Sequence, residues 1–102
     1  MPKKEGCDCY RYKTTPRDEK LQKDLQSRLN RIIGQLGGIG KMIEENRYCG
    51  DILIQVAAAD QALKTLGRQI LQNHMETCVA EEMKKGNDQV IAEAVDLIRR
   101  LS

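Results

Sequence analysis

Large aromatic side chains are almost absent from this chain of 102 residues, which has no Phe, no Trp and three Tyr. Aromatic and β-branched residues are the ones that strands favour. Leu, Ala, Gln, Lys and Glu are abundant instead, and these residues favour helices. The composition therefore indicates an all-α protein.

Three further absences limit the function. No stretch approaches the ~18 apolar residues of a membrane-spanning helix. The first residues lack the apolar run of a secretory signal, so we expect a cytoplasmic protein whose four cysteines stay reduced. Metal binding, redox sensing or burial must then explain the thiols. No nucleophile is paired with a base and no phosphate-binding loop occurs, so we expect neither an enzyme nor a small-molecule substrate.

The chain divides into a tail and one domain. Residues 1–17 are rich in Lys, Gly, Thr and Pro without an apolar period, which predicts a flexible N-terminal tail. Residues 18–102 form a single all-helical domain, short enough to gain from self-association. Residues 1–50 hold 11 Lys and Arg against 7 Asp and Glu. This mildly basic half is compatible with phosphate contacts and also with a solvated helix face.

The spacing of apolar residues predicts a three-helix subunit. Apolar residues recur every three or four positions in the first long helix, over residues 18–46. The second long helix runs from Cys49 or Asp51 to about Lys85. The third is short, covers residues 88–101 and has one apolar face.

Four glycines lie inside the first predicted helix, and each costs about 1 kcal/mol relative to Ala. The apolar period keeps its phase across them. We therefore predict one unbroken helix with a close backbone contact along that face. The four are Gly34, Gly37, Gly38 and Gly40.

The second helix carries an apolar stripe with alternating spacings of three and four residues, which is typical of a coiled-coil seam. Its members are Cys49, Ile52, Val56, Ala59, Leu63, Leu66 and Ile70. At ~100° per residue, His74 and Cys78 lie within about 20° of Cys49 around the helix axis. A cysteine on such a face is usually a small buried hydrophobe. Three potential metal ligands on one face favour a metal site instead.

The length of the second helix decides how these ligands can meet. At ~1.5 Å per residue, Cys49 lies about 37 Å from His74 and about 44 Å from Cys78. One chain therefore cannot close the site. Antiparallel packing of the helix against its symmetry mate brings Cys49 of one subunit to the His74 end of the other, twice per dimer. The sequence predicts an antiparallel homodimer with two intersubunit sites.

The donor set indicates the metal. Two thiolates and one imidazole suit three-coordinate Cu(I) better than structural zinc, which takes four ligands. Zn(II) is the alternative if Cys7, Cys9 or water supplies a fourth ligand. Cys7 and Cys9 lie in the tail without a His nearby, so we interpret them as incidental thiols rather than copper ligands.

Three segments resemble the copper-sensing operon repressor family and its nickel, formaldehyde and persulfide relatives. They are RLNRIIGQL at 28–36 with the following Gly38-Ile39, MIEENRYC at 42–49 and NHMETCV at 73–79. The similarity covers about residues 20–101. It implies an antiparallel dimer that pairs into a homotetramer and binds operator DNA through helical faces.

The resemblance also implies a Cu(I)-responsive repressor that releases operator DNA when copper binds and so derepresses copper resistance genes. The Cys, His, Cys pattern of copper-sensing members is matched by Cys49, His74 and Cys78. Nickel sensors add an N-terminal ligand where this chain has Arg17, which cannot bind metal. A Tyr and a Glu that contact the ligands rather than the metal are matched by Tyr48 and Glu93.

On the DNA side, the resemblance points to Arg28 and Arg31 of the first helix and Lys64 of the second. The family usually has Glu where Ile33 stands and often Arg where Gly37 stands. Both departures lie in a region associated with DNA contact, where they can alter operator preference. A solvated face explains each single cation almost as well.

Two rival functions stay open from the sequence. A copper store without a DNA role would lack the strong salt dependence that phosphate contacts give to DNA binding. A thiol or persulfide sensor would bridge Cys49 to Cys78 of the partner. The presence of His74 argues against the second.

Overall fold

The computed structural model describes residues 16–102, and over that range it contains helices and turns but no strand. The helices are α1 (Glu19–Glu44), α2 (Cys49–His74), α3 (Ala80–Lys84) and α4 (Gln89–Leu101). A π-helical turn, Met75–Val79, joins α2 to α3 without leaving right-handed helical dihedrals. The chain therefore forms three helical rods: α1, the continuous segment from α2 through the π turn to α3, and α4. This confirms the all-α prediction. The tail thiols Cys7 and Cys9 lie outside the described residues.

The first rod begins and ends at residues with suitable capping chemistry. Asp18 precedes α1, and its carboxylate accepts a hydrogen bond from the Leu21 amide at 3.3 Å. The helix ends where Asn46 adopts a left-handed φ of 55°, a conformation that Asn tolerates better than most residues. The observed α1 lies within two residues of the predicted bounds.

The two long rods form an antiparallel hairpin, and α4 folds back on the second. Gly86, with a φ of 85°, reverses the chain after α3. At the other end of α4, a methyl group of Leu101 lies so close to Gly67 of α2 that a Cβ there would be 2.7 Å away. The absent side chain at Gly67 thus lets α4 pack tightly on α2. No helix of residues 16–102 has the length and apolar character needed to cross a membrane.

The glycines of α1 behave only partly as predicted. The helix runs through all four without a break. The predicted close backbone contact is not made inside the chain, because a Cβ added at Gly34, Gly37, Gly38 or Gly40 would meet nothing within 4 Å. In a single subunit this face of α1 is open.

The buried core of the subunit is small, and much apolar surface stays exposed. The buried apolar side chains are Leu25, Ile32, Ala59, Cys78, Val79, Val90 and Ala94. On the predicted seam, Ala59 is 4% exposed, whereas Val56, Leu63 and Ile70 are 43%, 46% and 38% exposed. A monomer that leaves a seam this exposed has a surface suited to a partner.

Candidate metal centre

His74 is the last residue of α2, and α4 packs beside it. Its side chain is 17% exposed, and its Nε2 lies 3.9 Å from Oε1 of Glu93. This distance is longer than a hydrogen bond but within the range of an ion pair. Burial raises the pKa of Glu93 above its ordinary value. The structure therefore places His74, one of the predicted metal ligands, beside Glu93, the carboxylate that the resemblance expects to contact it.

Cys78 lies in the π-helical turn that follows, and it is 2% exposed. Its neighbour Thr77 donates a hydrogen bond from Oγ1 to the Asn73 carbonyl at 2.7 Å and lies 3.9 Å from the Cys78 sulfur. A π turn inserts one residue, so the predicted ~100° per residue holds up to His74 and not through Cys78. Such turns occur frequently at functional sites, and the apolar period gave no sign of this one.

Cys49 is the first residue of α2 and is exposed. Tyr48, just before it, is 75% exposed. Its ring lies against Gly50, where a Cβ would be 2.6 Å from the ring carbon Cε2. The structure thus places Cys49 and Tyr48 together at one end of α2. It does not bring them to Glu93, which lies at the other end.

The separation of the two ends prevents Cys49 from sharing a site with His74 and Cys78 of the same chain. The 26 residues of α2 span about 37 Å between Cys49 and His74 at ~1.5 Å per residue. Among residues 16–102, no three His, Cys, Asp or Glu side chains are placed to hold a metal ion. The donor chemistry of Cys49, His74 and Cys78 fits a soft, three-coordinate metal, but only if a second subunit contributes to the site.

The three cations predicted to contact DNA lie on the two long rods. Arg31 on α1 is exposed and Arg28 is half-buried. Lys64 on α2 pairs with Asp60 one turn earlier, at 3.4 Å. The two departures from the family pattern are both exposed, Ile33 by 56%. Arg31, Ile33 and Gly37 are therefore accessible on the single subunit, and Arg28 and Lys64 are partly accessible.

Comparison with known proteins gives the family. A model of metal-sensitive transcriptional repressors matches residues 21–100. The copper-sensing transcriptional repressor CsoR of Bacillus subtilis is 38% identical over 93 residues, which cover 89% of this chain and 92% of that protein. The copper-sensing transcriptional repressor RicR of Mycobacterium tuberculosis is 40% identical over 84 residues, which cover 78% of this chain and 88% of that protein.

Solved structures agree with the sequence comparison. The copper-sensing repressor CsoR with Cu(I) from Geobacillus thermodenitrificans NG80-2 is similar with a TM-score of 0.79 and 39% identity, covering 86% of this chain and 93% of that one. The nickel-responsive transcriptional regulator InrS is similar with a TM-score of 0.67 and 38% identity, covering 87% and 99%. The resemblance seen in the sequence segments is confirmed: the chain belongs to the metal-sensitive transcriptional repressor family.

Proposed function

We propose that this protein is a Cu(I)-responsive repressor whose metal-free homo-oligomer binds operator DNA and whose copper-bound form releases it. Cu(I) is held between subunits by Cys49 of one and by His74 and Cys78 of the other. The observation that carries the proposal is the position of the three donors at opposite ends of one helical rod. The copper-sensing relatives at 38% and 40% identity support the same function.

The exposed seam of α2 supports the antiparallel dimer that this site needs. Val56, Leu63 and Ile70 are each more than a third exposed in the subunit. Antiparallel pairing about a two-fold axis places each seam against its own copy, which buries these side chains and forms two sites at once. A tetramer would then pair two such dimers.

The donor set favours Cu(I) over the metals of the other relatives. Thiolates select soft ions such as Cu(I), and two thiolates with one imidazole complete a three-coordinate site. Zn(II) would require a fourth ligand. The nickel-responsive relative shows that the metal varies among similar structures. Arg17, at the position of the extra nickel ligand, cannot bind metal because a guanidinium carries N–H groups and no lone pair for a metal.

Glu93 sets the orientation and tautomer of His74 in this proposal. Its carboxylate faces Nε2 of the ring. A proton held on Nε2 leaves Nδ1 as the nitrogen with a free lone pair for a metal. A carboxylate beside a ligating His also raises the basicity of the ring. Metal binding by His74 would therefore affect Glu93 and, through it, the helix α4 that carries Glu93.

The DNA side of the proposal uses phosphate contacts from Arg28, Arg31 and Lys64. If copper favours a subunit arrangement in which these cations no longer match the phosphates, it weakens DNA binding. By thermodynamic linkage, DNA must then weaken copper binding by the same factor. The effect of copper on DNA binding and the effect of DNA on copper binding can therefore each be measured, and the two must give the same coupling free energy.

The experiment titrates Cu(I) anaerobically into the metal-free protein bound to a labelled duplex selected from a random-sequence pool. We expect release near one Cu(I) per subunit for the wild type and no release for Cys49→Ala. Met75→Leu is the matched control, because it removes an exposed thioether sulfur beside His74 without touching the proposed ligands. It should release DNA like the wild type.

Three outcomes would overturn the proposal. Copper that leaves the DNA complex intact excludes a copper-released repressor. Release that persists in Cys49→Ala excludes the intersubunit site. Failure to retain any duplex at low salt, where phosphate contacts are strongest, favours a copper store.

A further inference from the structure

The last helix, α4, has two apolar faces, and only one of them is covered within the subunit. Val90 and Ala94 are buried. Ile91, Val95 and Ile98 are exposed by 44%, 48% and 46%. Their spacing of four and three residues aligns them in one stripe, roughly 100° around the helix axis from the buried face. An exposed apolar stripe of this kind is suited to a partner.

The stripe lies on a different side of α4 from the proposed metal site. The carboxylate of Glu93 is 3.9 Å from Nε2 of His74. Glu93 is two residues from Val95, which places it about 160° away from Val95 around the helix. The exposed seam of α2 is already the proposed contact within the antiparallel dimer. The stripe of α4 is therefore free to hold a further copy of a dimer that has already formed.

The two ends of the stripe carry opposite charges. Asp88 lies in line with Val95, two turns before it, and Arg99 lies one turn after it. Both residues are exposed. Within residues 16–102 neither side chain has an ion-pair partner, and Asp88 makes no side-chain capping hydrogen bond to α4. Both charges are therefore available to a partner.

A second copy of the same helix matches this pattern when it runs antiparallel. With Ile91 beside Ile98 of the copy, Asp88 lies within two residues, or ~3 Å of helical rise, of Arg99 of the copy. The two-fold axis forms the same pair again at the other end. A parallel copy would instead place like charges together at both ends, which repulsion disfavours. The charges therefore favour a two-fold contact between two copies of α4.

We propose that α4 joins two dimers into a tetramer by pairing antiparallel with α4 of the second dimer through Ile91, Val95 and Ile98. Asp88 and Arg99 pair across this contact. The inference rests on the proposed function, because it adds a second interface to the proposed copper-binding dimer. Each subunit has one such stripe, so a symmetric tetramer forms the contact twice and two small patches act together.

The test measures the oligomeric state of the metal-free, full-length protein by sedimentation velocity over a range of micromolar concentrations. We expect tetramers for the wild type and dimers for Val95→Glu, because the contact would bury carboxylates without partners. The dissociation constant of the tetramer into dimers should rise by about a hundredfold or more. Val95 is about half exposed in the subunit, so the variant should keep the helical circular dichroism of the wild type. Gln89→Glu is the matched control, because it adds the same charge on an exposed part of α4 away from the stripe, and it should remain tetrameric.

An exchange of charges tests the antiparallel orientation. Arg99→Glu alone places a carboxylate opposite Asp88 of the copy and should raise the dissociation constant by about tenfold. Asp88→Lys/Arg99→Glu reverses both charges and should restore the tetramer. A change in the stability of α4 alone would not give this rescue.

Four outcomes would overturn the interface. They are a wild type that is dimeric at every concentration, a Val95→Glu tetramer as tight as the wild type, a double charge variant no tighter than Arg99→Glu, and monomers of Val95→Glu. Monomers would mean that the stripe belongs to the copper-binding dimer itself. The proposed function is judged separately by copper stoichiometry: dimers of Val95→Glu should bind one Cu(I) per subunit, as the wild type does. A wild-type tetramer that binds no Cu(I) would exclude the copper site and leave the interface standing.

Discussion

At the scale of single residues, Glu82 holds the turn that lets α4 reach the His74 end of α2. The Glu82 side chain is buried. Its carboxylate accepts hydrogen bonds from Asn87 Nδ2 at 3.0 Å and from Lys85 Nζ at 3.4 Å. The Asn87 hydrogen bond is the largest cause that lowers the Glu82 pKa below its ordinary value. Lys85 lowers this pKa further, and burial opposes both effects. The ionised form is therefore the one that stabilises the turn.

This lowered pKa predicts a dependence of stability on pH. The stabilisation by Glu82 is fully present above the ordinary pKa of Glu and is lost as the pH falls through the lower pKa of the folded state. In Glu82→Gln we expect a lower melting temperature at neutral pH and a smaller further loss toward about pH 3. Thermal unfolding followed by circular dichroism across this range tests it. Glu44→Gln, at the exposed end of α1, is the control. The prediction would be contradicted if the melting temperature of Glu82→Gln fell as steeply with decreasing pH as that of the wild type.

The residues of the metal site differ in how far the sequence alone could locate them. Cys49 and His74 follow from their spacing, because a regular helix places them on one stripe at a known distance. Glu93 was found only through the family resemblance. Its contact with His74 joins helices that are remote in sequence, and no local period encodes such a contact. Its role at the site stays a prediction.

At the scale of elements, the ends of the helices were predictable and the environment of their faces was not. Asp18 and Gly86 mark ends because a capping carboxylate and a left-handed backbone are local requirements. On the glycine face of α1, an added Cβ would meet nothing of this chain within 4 Å. What covers such a face depends on other subunits or on DNA, which a single sequence does not place.

The open glycine face predicts an unusual stabilising substitution. Gly37→Ala adds a methyl group where nothing lies within 4 Å, and it should stabilise α1 by about 1 kcal/mol. Urea unfolding at fixed protein concentration measures this. Gly86→Ala is the contrasting control: at its φ of 85° the same change should destabilise by about 1 kcal/mol. Destabilisation by Gly37→Ala would show that another subunit approaches this face closely.

The π turn is the element that sequence patterns missed. It lies between segments that keep helical dihedrals, so the apolar spacing continues on both sides and hides the inserted residue. The Thr77 hydroxyl bonds to the Asn73 carbonyl inside the region where the α-helical hydrogen bonds are displaced. This side-chain bond offers the backbone an alternative partner and favours the turn.

Thr77→Val should therefore weaken the π turn while keeping the shape of the side chain. Return to a regular α-helix would rotate the residues that follow by up to about 100° and displace the Cys78 thiol from the position that it now has relative to His74. We expect weaker Cu(I) binding in chelator competition and a loss of about 1 kcal/mol in unfolding free energy. Thr77→Ser retains the hydroxyl and should bind copper like the wild type. Wild-type affinity in Thr77→Val would show that the turn does not position Cys78.

At the scale of the whole molecule, the subunit is elongated. Its radius of gyration is 17.6 Å, whereas a compact chain of about 100 residues has ~13 Å. A long hairpin with a small core and an exposed seam is poorly suited to existence as a monomer. The same elongation separates the proposed ligands. Assembly and metal binding are therefore one requirement: the contact that would bury the seam would also complete the site.

This requirement predicts that two defective subunits can restore each other. Cys49→Ala and Cys78→Ala each destroy both sites of a homodimer. In a heterodimer of the two, the Cys78→Ala subunit supplies Cys49 and the Cys49→Ala subunit supplies His74 and Cys78, so one of two sites is intact. After mixed refolding with random pairing, intersubunit Cu(I) should rise from none to about one quarter of the wild-type amount. A mixture of His74→Ala with Cys78→Ala is the matched control, because both lack a ligand from the same end and every pairing leaves both sites broken. Recovery in the control, or none in the first mixture, would exclude a site shared between antiparallel subunits.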